Sequence, residues 1–290
     1  MKKIIALLMA AAMVLAMAAC GASNAASLTE SAASEALAAA EPAVASAAEV
    51  VADATDSDMA YVQTKGTLVV GITDFEPMDY KDDAGNWIGF DADMAAAFAA
   101  SLGVAVEFVE IDWDNKIMEL DGKTIDCVWN GMTLTPEVTA SMECSNAYCN
   151  NAQVVIVPAA VADQYQDADS IKDLNFAVEA GSAGEQVIAE LGYAYTSVKA
   201  QSDALMEVAA GTSDAAVIDS LMAAAMVGEG TGYADLTYTV GLNSEEYGVG
   251  FRKGSDLAAA LNDFFAASYA DGSMMQCAET YGVQAAIIAQ

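Results

Sequence analysis

The sequence contains no histidine and only one arginine, and these absences remove several classes of chemistry. Without imidazole there is no Ser-His-Asp triad, no Cys-His nucleophile pair and no histidine metal ligand, so most hydrolase mechanisms are excluded. Arg252 is the sole arginine, so a bidentate guanidinium clamp on a carboxylate or phosphate is available at no other position.

Positive charge is scarce throughout the chain. The 290 residues include 42 Asp and Glu but only 10 Lys and Arg, which gives a formal net charge of -32. A surface of that sign repels a phosphate backbone, so nucleic acid is excluded as a partner. The acids do not by themselves identify a ligand, because most acidic side chains form a solvated surface.

The N-terminus carries a targeting signal. Lys2 and Lys3 precede a short apolar run, and Met17-Ala-Ala-Cys20 follows. This pattern predicts a secretory signal peptide over residues 1–19, since the run is too short for an ordinary membrane-spanning helix. The tetrapeptide resembles the bacterial lipobox, which implies a diacylglyceryl anchor on Cys20. The alternative is a plain secreted protein in which Cys20 is an ordinary thiol.

Residues 20–60 have a different composition from the rest. They are rich in Ala, Ser and acids and contain no Lys, Arg or aromatic residue. Such a segment has little bulky apolar surface to offset the entropy cost of ordering it. We expect it to be a lipid-anchored linker between the membrane and a folded domain.

From residue 66 onward, strand and helix patterns alternate, and with 55% hydrophobic residues the chain can form two modest cores. This order predicts an α/β fold with two lobes, each a mainly parallel sheet flanked by helices. Lobe 1 is expected over residues 66–152 and 247–290 and lobe 2 over 153–246, because the chain returns through Tyr247-Gly-Val-Gly-Phe-Arg252. The predicted strands cover residues 67–73, 104–109, 125–129, 153–157, 175–179, 195–199 and 215–219.

Several segments, taken in this order, resemble the polar amino-acid binding proteins of bacterial ABC importers, which have the periplasmic-binding-protein type II fold. The segments are Leu68-Val-Val-Gly-Ile with Phe75-Glu-Pro77, Gly89-Phe-Asp-Ala-Asp93, Asp126-Cys-Val-Trp-Asn-Gly-Met-Thr133 with Thr135-Pro-Glu137, Ala180-Gly-Ser-Ala-Gly184 and Asp214-Ala-Ala-Val-Ile-Asp219. No single segment is specific, but together they cover nearly everything from residue 66 to the C-terminus.

The resemblance implies a clamp of two lobes joined by two hinge strands. Such a clamp closes on an amino acid or a related amine-bearing small molecule and delivers it to an ABC permease in the membrane. The protein would be a monomeric, non-enzymatic receptor without cofactor or metal, held outside the cytoplasm by its lipid anchor. Closure removes the ligand from water, so charged groups interact at a lower effective dielectric constant.

Seven residues match positions that bind ligand in this family. Phe75 and Trp113 would stack on the ligand. Phe75 is alternatively a rim aromatic that packs on the hinge, and Trp113, which lies between Asp112 and Asp114, is alternatively a buried core residue. The matching residues in lobe 1 and lobe 2 that would form polar contacts are Asn130, Gly131, Thr133, Ser182 and Asp219.

For two of these residues the alternative is structural. Gly131 allows close backbone approach to a ligand, but glycine also simply ends strands. Asp219 would accept the ligand ammonium, and its alternative is an N-cap of the following helix. Trp129 is expected in the core, because strand alternation turns it away from its neighbour Asn130.

One departure from the family pattern concerns the ligand carboxylate. The arginine that clamps it would follow Glu137, where this chain has Val138. A carboxylate could then be held by main-chain N–H groups at the starts of the helices beginning at Pro136 and Ala183, although Ala183 also lacks the usual hydroxyl. Otherwise the ligand lacks a free carboxylate or is cationic.

Four cysteines remain after lipidation: Cys127, Cys144, Cys149 and Cys277. They permit disulfides in an exported protein, with Cys144 and Cys149 as the favoured pair, or they remain thiols. A thiolate metal site is not expected, because there is no Cys-x-x-Cys spacing and no histidine.

Two other function classes stay open. Some relatives of these receptors are dehydratases that act on cyclic acids, and Glu76, Asp112 or Glu179 could provide the general acid or base that such a reaction needs. The other class is a ligand-sensing surface protein that signals to another membrane protein.

Overall fold

The computed structural model describes residues 57–290. The predicted signal peptide, Cys20 and the linker up to residue 56 lie outside those residues. The first element is helix α1 (Asp58–Lys65), which begins with Ser57 as N-cap and buries Val62 completely. The predicted linker therefore extends too far, since Asp58 already belongs to the folded part.

Among residues 57–290, no helix has the length and apolar character needed to cross a membrane.

The elements after α1 fall into three stretches of chain. The first contains β1 (Thr67–Ile72), β2 (Tyr80–Lys81), β3 (Trp87–Ile88), α2 (Phe90–Ser101), β4 (Ala105–Glu110), α3 (Lys116–Asp121), β5 (Cys127–Thr133), α4 (Pro136–Ser141), β6 (Glu143–Cys144) and β7 (Cys149–Asn151). The second contains β8 (Gln153–Pro158), α5 (Ala168–Ile171), β9 (Asn175–Glu179), α6 (Ala183–Leu191), β10 (Ala194–Val198), α7 (Gln201–Ala210), β11 (Ala215–Asp219), α8 (Ser220–Met226) and β12 (Leu236–Gly241). The last contains β13 (Glu245–Phe251), α9 (Leu257–Asp271) and α10 (Ser273–Thr280).

The strands form two main sheets, and each with its helices is one lobe. Lobe 1 has the order β4-β1-β5-β13-β6, with β7 also paired to β13, and lobe 2 has the order β10-β9-β11-β8-β12. The α/β prediction is confirmed, but the sheets are mixed rather than mainly parallel. In lobe 1 β13 is antiparallel to β5, and in lobe 2 β8 is antiparallel to β11. The reason is that β8 and β13 enter their sheets directly from the other lobe.

Two chain crossings connect the lobes, and they lie side by side. One is at Ala152, between β7 and β8, and the other covers residues 242–244, between β12 and β13. Leu242 N donates to Gln153 O at 2.8 Å, and Gln153 N donates to the Asn243 side chain at 2.7 Å. Strand β13 begins at Glu245, so residues 245 and 246 pair in the lobe 1 sheet rather than in lobe 2, where the sequence boundary had placed them.

The core of lobe 1 is rich in aromatic rings. Trp129 is 1% exposed and packs against Phe98 and Phe265, as expected for a core residue. The sole arginine lies in the same lobe: Arg252 contacts both carboxylate oxygens of Asp58 at 3.0 Å and Asp126 at 3.3 Å. It ties α1 to the start of β5 and the end of β13, so the only guanidinium of the described residues has a structural partner set far from any cleft.

The cysteines occur as free thiols rather than as the expected Cys144–Cys149 pair. Cys144 pairs with Gly250 and Cys149 with Tyr247, so the two cysteines lie three positions apart along the same edge of β13. At about 3.3 Å per residue, this spacing separates their Cα atoms by roughly 10 Å. A disulfide needs a Cα separation below about 7 Å.

Candidate functional site

A cavity of about 380 Å³ lies between the two lobes. Its walls come from the ends of β5, β9 and β11, from the loop after β1 and from the starts of α3, α4 and α6. All seven residues predicted to bind ligand line it: Phe75, Trp113, Asn130, Gly131, Thr133, Ser182 and Asp219. The residues that were far apart in sequence are therefore brought to one site, while their roles toward a ligand remain predictions.

The aromatic wall belongs to lobe 1. Phe75 is 2% exposed and meets the Tyr247 ring edge to face, with ring centroids 6.4 Å apart. Trp113 lies in a short 3-10 helix before α3 and packs with Val138 and Ile111 in a buried cluster. Both rings therefore have one side against the core and also line the cavity, and such rings can pack on an apolar or cationic group.

The polar residues of lobe 1 lie on β5 itself rather than on a loop after it, because the strand continues to Thr133 instead of ending at Trp129. Gly131 has a φ of +56°, and its N–H donates to Asp91 Oδ2 at 2.7 Å. A Cβ at this position would lie 2.5 Å from Phe75 Cε1. Glycine is therefore required here both by conformation and by the close approach of the aromatic wall.

Asn130 and Thr133 lie before and after Gly131 on β5, and they differ in how many of their hydrogen-bonding groups have partners. Asn130 is buried; its Oδ1 accepts the Thr73 N–H, and its Nδ2 has no partner among the described residues. Thr133 donates its hydroxyl to Glu245 Oε1 at 2.9 Å, next to the second chain crossing. Asn130 thus has a free donor, while Thr133 connects the cleft to the hinge.

In lobe 2 the turn before α6 closes tightly on lobe 1. Ser182 is the N-cap of α6, and its Oγ accepts the Glu185 N–H at 3.1 Å. Gly181 has a φ of +70°, and a Cβ there would lie 2.7 Å from the Asp114 Cα of the opposite lobe. Ser182 therefore keeps its hydroxyl proton and one acceptor position for a ligand. The two lobes approach to within van der Waals contact at Gly181.

Asp219 lies at the end of β11 and is 4% exposed. Its side chain makes no capping bond to α8, so the N-cap alternative does not apply. Instead, Tyr247 OH and Gln153 Nε2 donate to Oδ1 at 2.8 and 2.9 Å, Asn151 also donates to Oδ1, and Gln201 donates to Oδ2. Burial, with a contribution from Glu245, raises the pKa of Asp219 to about 7.

Two further groups of the cavity were not predicted as ligand-binding residues. Glu179, the last residue of β9, is 2% exposed, and burial followed by the charge of Asp219 raises its pKa to about 8. Lys116 begins α3 and donates from Nζ to Gly181 O at 2.8 Å, which joins lobe 1 to lobe 2. The signals in the sequence were a carboxylate at a strand end and a lysine one turn after Trp113.

Val138 occupies the place expected for a carboxylate-binding arginine. It is 4% exposed and belongs to a cluster with Ile111, Met132 and Met142. Its N–H donates to the Thr135 N-cap at 3.2 Å, as the Thr-Pro-Glu sequence predicts. Val138 is therefore an apolar part of the cavity wall, and the cleft carries Lys116 as its only buried cationic side chain among residues 57–290.

The residues considered for acid-base chemistry do not meet at one place. Glu179 lines the central cavity, whereas Glu76 lines a separate one with Asp74 and Glu110. Asp112 lines neither and forms an exposed ion pair with Lys199 at 3.4 Å. The three carboxylates therefore form no common acid-base group.

Comparison with known proteins agrees with this geometry. The model of the bacterial extracellular solute-binding proteins, family 3, matches residues 68–284. The L-cystine-binding protein TcyJ of Escherichia coli (strain K12) is 27% identical over 224 residues, covering 76% of this chain and 84% of that protein. The arginine-binding extracellular protein ArtP of Bacillus subtilis (strain 168) is 27% identical over 231 residues, covering 77% and 75%.

A similar two-lobed structure is the P235GK mutant of ArgBP from T. maritima, with a TM-score of 0.73 and 29% identity over 77% of this chain and 98% of that one. The cyclohexadienyl dehydratase of Pseudomonas aeruginosa is a weaker relative, 26% identical over 119 residues that cover 41% of this chain and 44% of that enzyme.

These findings confirm the resemblance, the clamp fold and the expectation of a binding protein rather than an enzyme. The chain belongs to the bacterial extracellular solute-binding proteins, family 3.

Proposed function

We propose that this protein captures an amine-bearing amino acid, or a closely related cation, between its lobes and delivers it to the permease of an ABC importer. One observation supports this ligand class above others. Two buried carboxylates of lobe 2, Glu179 and Asp219, line a cavity whose opposite wall is aromatic and amide, and no arginine reaches it. Lys116 is the one buried cation of the described residues that lines this cavity, so an ammonium group of the ligand supplies a second positive charge against the two carboxylates.

The named ligands of the relatives fit this class. Cystine and arginine, in TcyJ and ArtP, both carry ammonium groups. A solved relative from Streptococcus pneumoniae, with a TM-score of 0.74 and 27% identity, has bound histidine and covers 80% of this chain and 99% of that one. We infer that the present chain keeps the amine-binding part of this function.

A carboxylate of the ligand would be bound by groups other than an arginine side chain. The first backbone N–H groups of a helix have no partner within it and carry partial positive charge. Ala183 and Gly184 begin α6, which is nine residues long, and Ala183 lines the cavity. These N–H groups, with Lys116, offer the ligand carboxylate a weaker hold than a bidentate arginine would.

The transport role also requires an anchor and a partner. We propose that Cys20 carries the lipid, that the segment after it tethers the clamp outside the cytoplasm, and that residues 58–151 with 245–290 and residues 153–241 act as the two moving lobes. Incorporation of labelled palmitate into the unchanged protein, and its loss in Cys20→Ala, is the expected result. Equal labelling of both would remove the anchor from the proposal.

The ligand class is tested by thermal unfolding of the purified protein with L-arginine, L-lysine, L-histidine, L-cystine, agmatine and N-acetyl-L-arginine. A ligand that binds only the folded state raises the melting temperature. We expect stabilisation by compounds with a free amine, with agmatine retaining more of the effect than N-acetyl-L-arginine. Stabilisation by the acetylated compound alone, or by none of the panel, would contradict the proposal.

A further inference from the structure

The two buried carboxylates of lobe 2 differ in how many hydrogen bonds they already accept. Asp219 receives four side-chain donors, from Asn151, Gln153, Gln201 and Tyr247. It also orients Gln201, whose Oε1 accepts the Asp219 N–H at 2.8 Å. Three of these donors go to Oδ1 and one goes to Oδ2. Since each carboxylate oxygen has about two acceptor sites, Asp219 retains at most one, on Oδ2.

Glu179 is in the opposite condition. Its side chain is buried and lines the cavity, yet Oε1 has no hydrogen-bond partner and Glu179 forms no ion pair within residues 57–290. The nearby ammonium of Lys116 donates elsewhere, to Gly181 O at 2.8 Å and Trp113 O at 3.3 Å. A buried carboxylate oxygen left without a donor is unfavourable unless a bound group supplies one.

We propose that Glu179, rather than Asp219, is the acceptor that selects the side-chain cation of the ligand, and that Asp219, which already orients amides around the cavity, does not make this selection. This inference rests on the proposed function, since it assigns a residue to the recognition of that ligand class. Glu179 ends β9 and Asp219 ends the neighbouring β11, so both reach the cavity from the same sheet edge. Of the two, Glu179 has the carboxylate oxygen that accepts no donor within residues 57–290.

A second unpartnered atom orients the ligand. Asn130 Nδ2, on β5 of lobe 1, is a buried donor without an acceptor in the described part of the chain, and Asn130 lines the same cavity. A ligand whose cation faces Glu179 and whose carboxylate or carbonyl oxygen faces Asn130 satisfies both atoms. Such a ligand contacts both lobes at once, which is what favours the closed clamp.

The test compares L-arginine with its neutral isostere L-citrulline, and L-lysine with L-norleucine, by isothermal titration calorimetry. In Glu179→Gln we expect the affinity for the cationic member to fall by about 10- to 100-fold, as for loss of a hydrogen bond to a charged group. The affinity of Glu179→Gln for the neutral member should stay within about threefold of that of the unchanged protein, because the neutral side chain forms no charged hydrogen bond that the substitution removes. The matched variant Asp219→Asn is expected to lower the melting temperature while keeping the preference for the cation.

The pH dependence of ligand affinity is a second measurement, and a purely structural role of Glu179 would not change it. Burial, together with the charges of Asp219 and Asp203, raises the pKa of Glu179 to about 8, against the opposing effects of Lys116 and Gln201. The affinity of the unchanged protein for L-arginine should therefore rise with pH up to that value as the carboxylate ionises. We expect this rise to persist in Asp219→Asn and to be absent in Glu179→Gln. If Glu179→Gln does not fold, persistence of the rise in Asp219→Asn alone decides between the two carboxylates.

The outcomes separate the two proposals. If the unchanged protein binds no amine at all, the proposed function and this inference both fail. If it binds arginine or lysine but Glu179→Gln keeps the preference for the cation and Asp219→Asn loses it, the function stands and the assignment to Glu179 is overturned. Binding of only the neutral members would likewise overturn the assignment.

Discussion

The two lobes share an α/β plan but bring opposite groups to the cleft. Lobe 1 contributes two aromatic rings, an amide, the apolar Val138 and the ammonium of Lys116, while lobe 2 contributes two buried carboxylates and the amides that donate to Asp219. The cores of the two lobes also differ in composition. Lobe 1 holds a set of touching aromatic rings and a buried arginine, whereas lobe 2 has a largely aliphatic core around Val155, Phe176 and Ile188.

This difference indicates a division of labour. In lobe 1 the ligand-facing strand β5 packs against large buried rings and adjoins an ion-pair network. Lobe 2 supplies negative charge from side chains at strand ends, where the environment of each carboxylate sets its pKa. We infer that shape selection belongs mainly to lobe 1 and selection of a cation to lobe 2, and the following variants test that contrast from the largest expected effect to the smallest.

Arg252→Met should have the largest effect and should act on lobe 1 alone. It removes a partner of two buried carboxylates: Asp58 loses its only ion pair within residues 57–290, whereas Asp126 keeps Lys65 at 2.5 Å. Breaking a buried ion pair in this way costs about 3–5 kcal/mol of unfolding free energy. Urea denaturation measures it, and the control Lys172→Met, an exposed lysine of lobe 2, should change the same quantity by less than about 0.5 kcal/mol. Equal losses would remove the contrast between the interiors.

Gly131→Ala tests whether the close approach of Phe75 to β5 sets the shape of the cleft. The left-handed φ and the approach to Phe75 at 2.5 Å mean that either the backbone or the ring has to move. We expect a stability loss of about 1–3 kcal/mol and a loss of ligand affinity of at least about tenfold. Gly66→Ala is the matched control: its φ of +79° imposes similar strain, but its Cβ would meet nothing within 4 Å. A control that weakened binding as much would show that strain alone is responsible.

The pH dependence of stability should reflect the carboxylates of the cleft. Burial raises the pKa of Glu179 from 4.5 to about 8 and that of Asp219 from 3.8 to about 7. The folded state therefore binds protons that the unfolded state has released, and unfolding free energy falls as pH rises between about 4 and 8. Urea denaturation at about pH 5 and pH 8.5 should show this fall, with a smaller slope in Glu179→Gln. An unchanged slope would mean that Glu179 does not contribute.

Asp91 provides the lobe 1 counterpart of that measurement. Burial raises its pKa to about 7, although Tyr148 OH and the Gly131 N–H both donate to it. If Asp91→Asn reduces the pH slope while leaving the preference for a cationic ligand intact, its carboxylate acts on the fold and not on charge selection.

Lys199→Ala should have the smallest effect. Its ammonium lies 3.4 Å from Asp112 of the opposite lobe, and both side chains are more than half exposed. Exposed pairs contribute about 0–1 kcal/mol and are screened by salt. Binding and stability should stay within that range in the variant. A loss of ligand affinity larger than tenfold would mean that this contact, and not the buried cleft, controls closure.

Much of the clamp was predictable because local patterns report it directly. The Thr135-Pro136 start of α4, the core position of Trp129 and the strand–helix alternation all follow from capping preferences and side-chain periodicity. The seven candidate ligand residues were found through the family resemblance, and the structure brings them to one cavity. The mixed sheets were not predicted, because the direction in which β8 and β13 enter depends on the crossings between lobes.

The sequence shows which residues depart from the family pattern in this cleft, but it does not show what those residues contact. The sequence by itself determined which side chains exist: one arginine, no histidine and a valine where a clamp would be. Only the tertiary structure decided that Arg252 is committed to Asp58 and Asp126, that Asp219 already accepts four side-chain donors and that Glu179 Oε1 accepts none. The physical reason is that burial and hydrogen-bond partners arise from residues distant in sequence, and these set what a carboxylate can still bind.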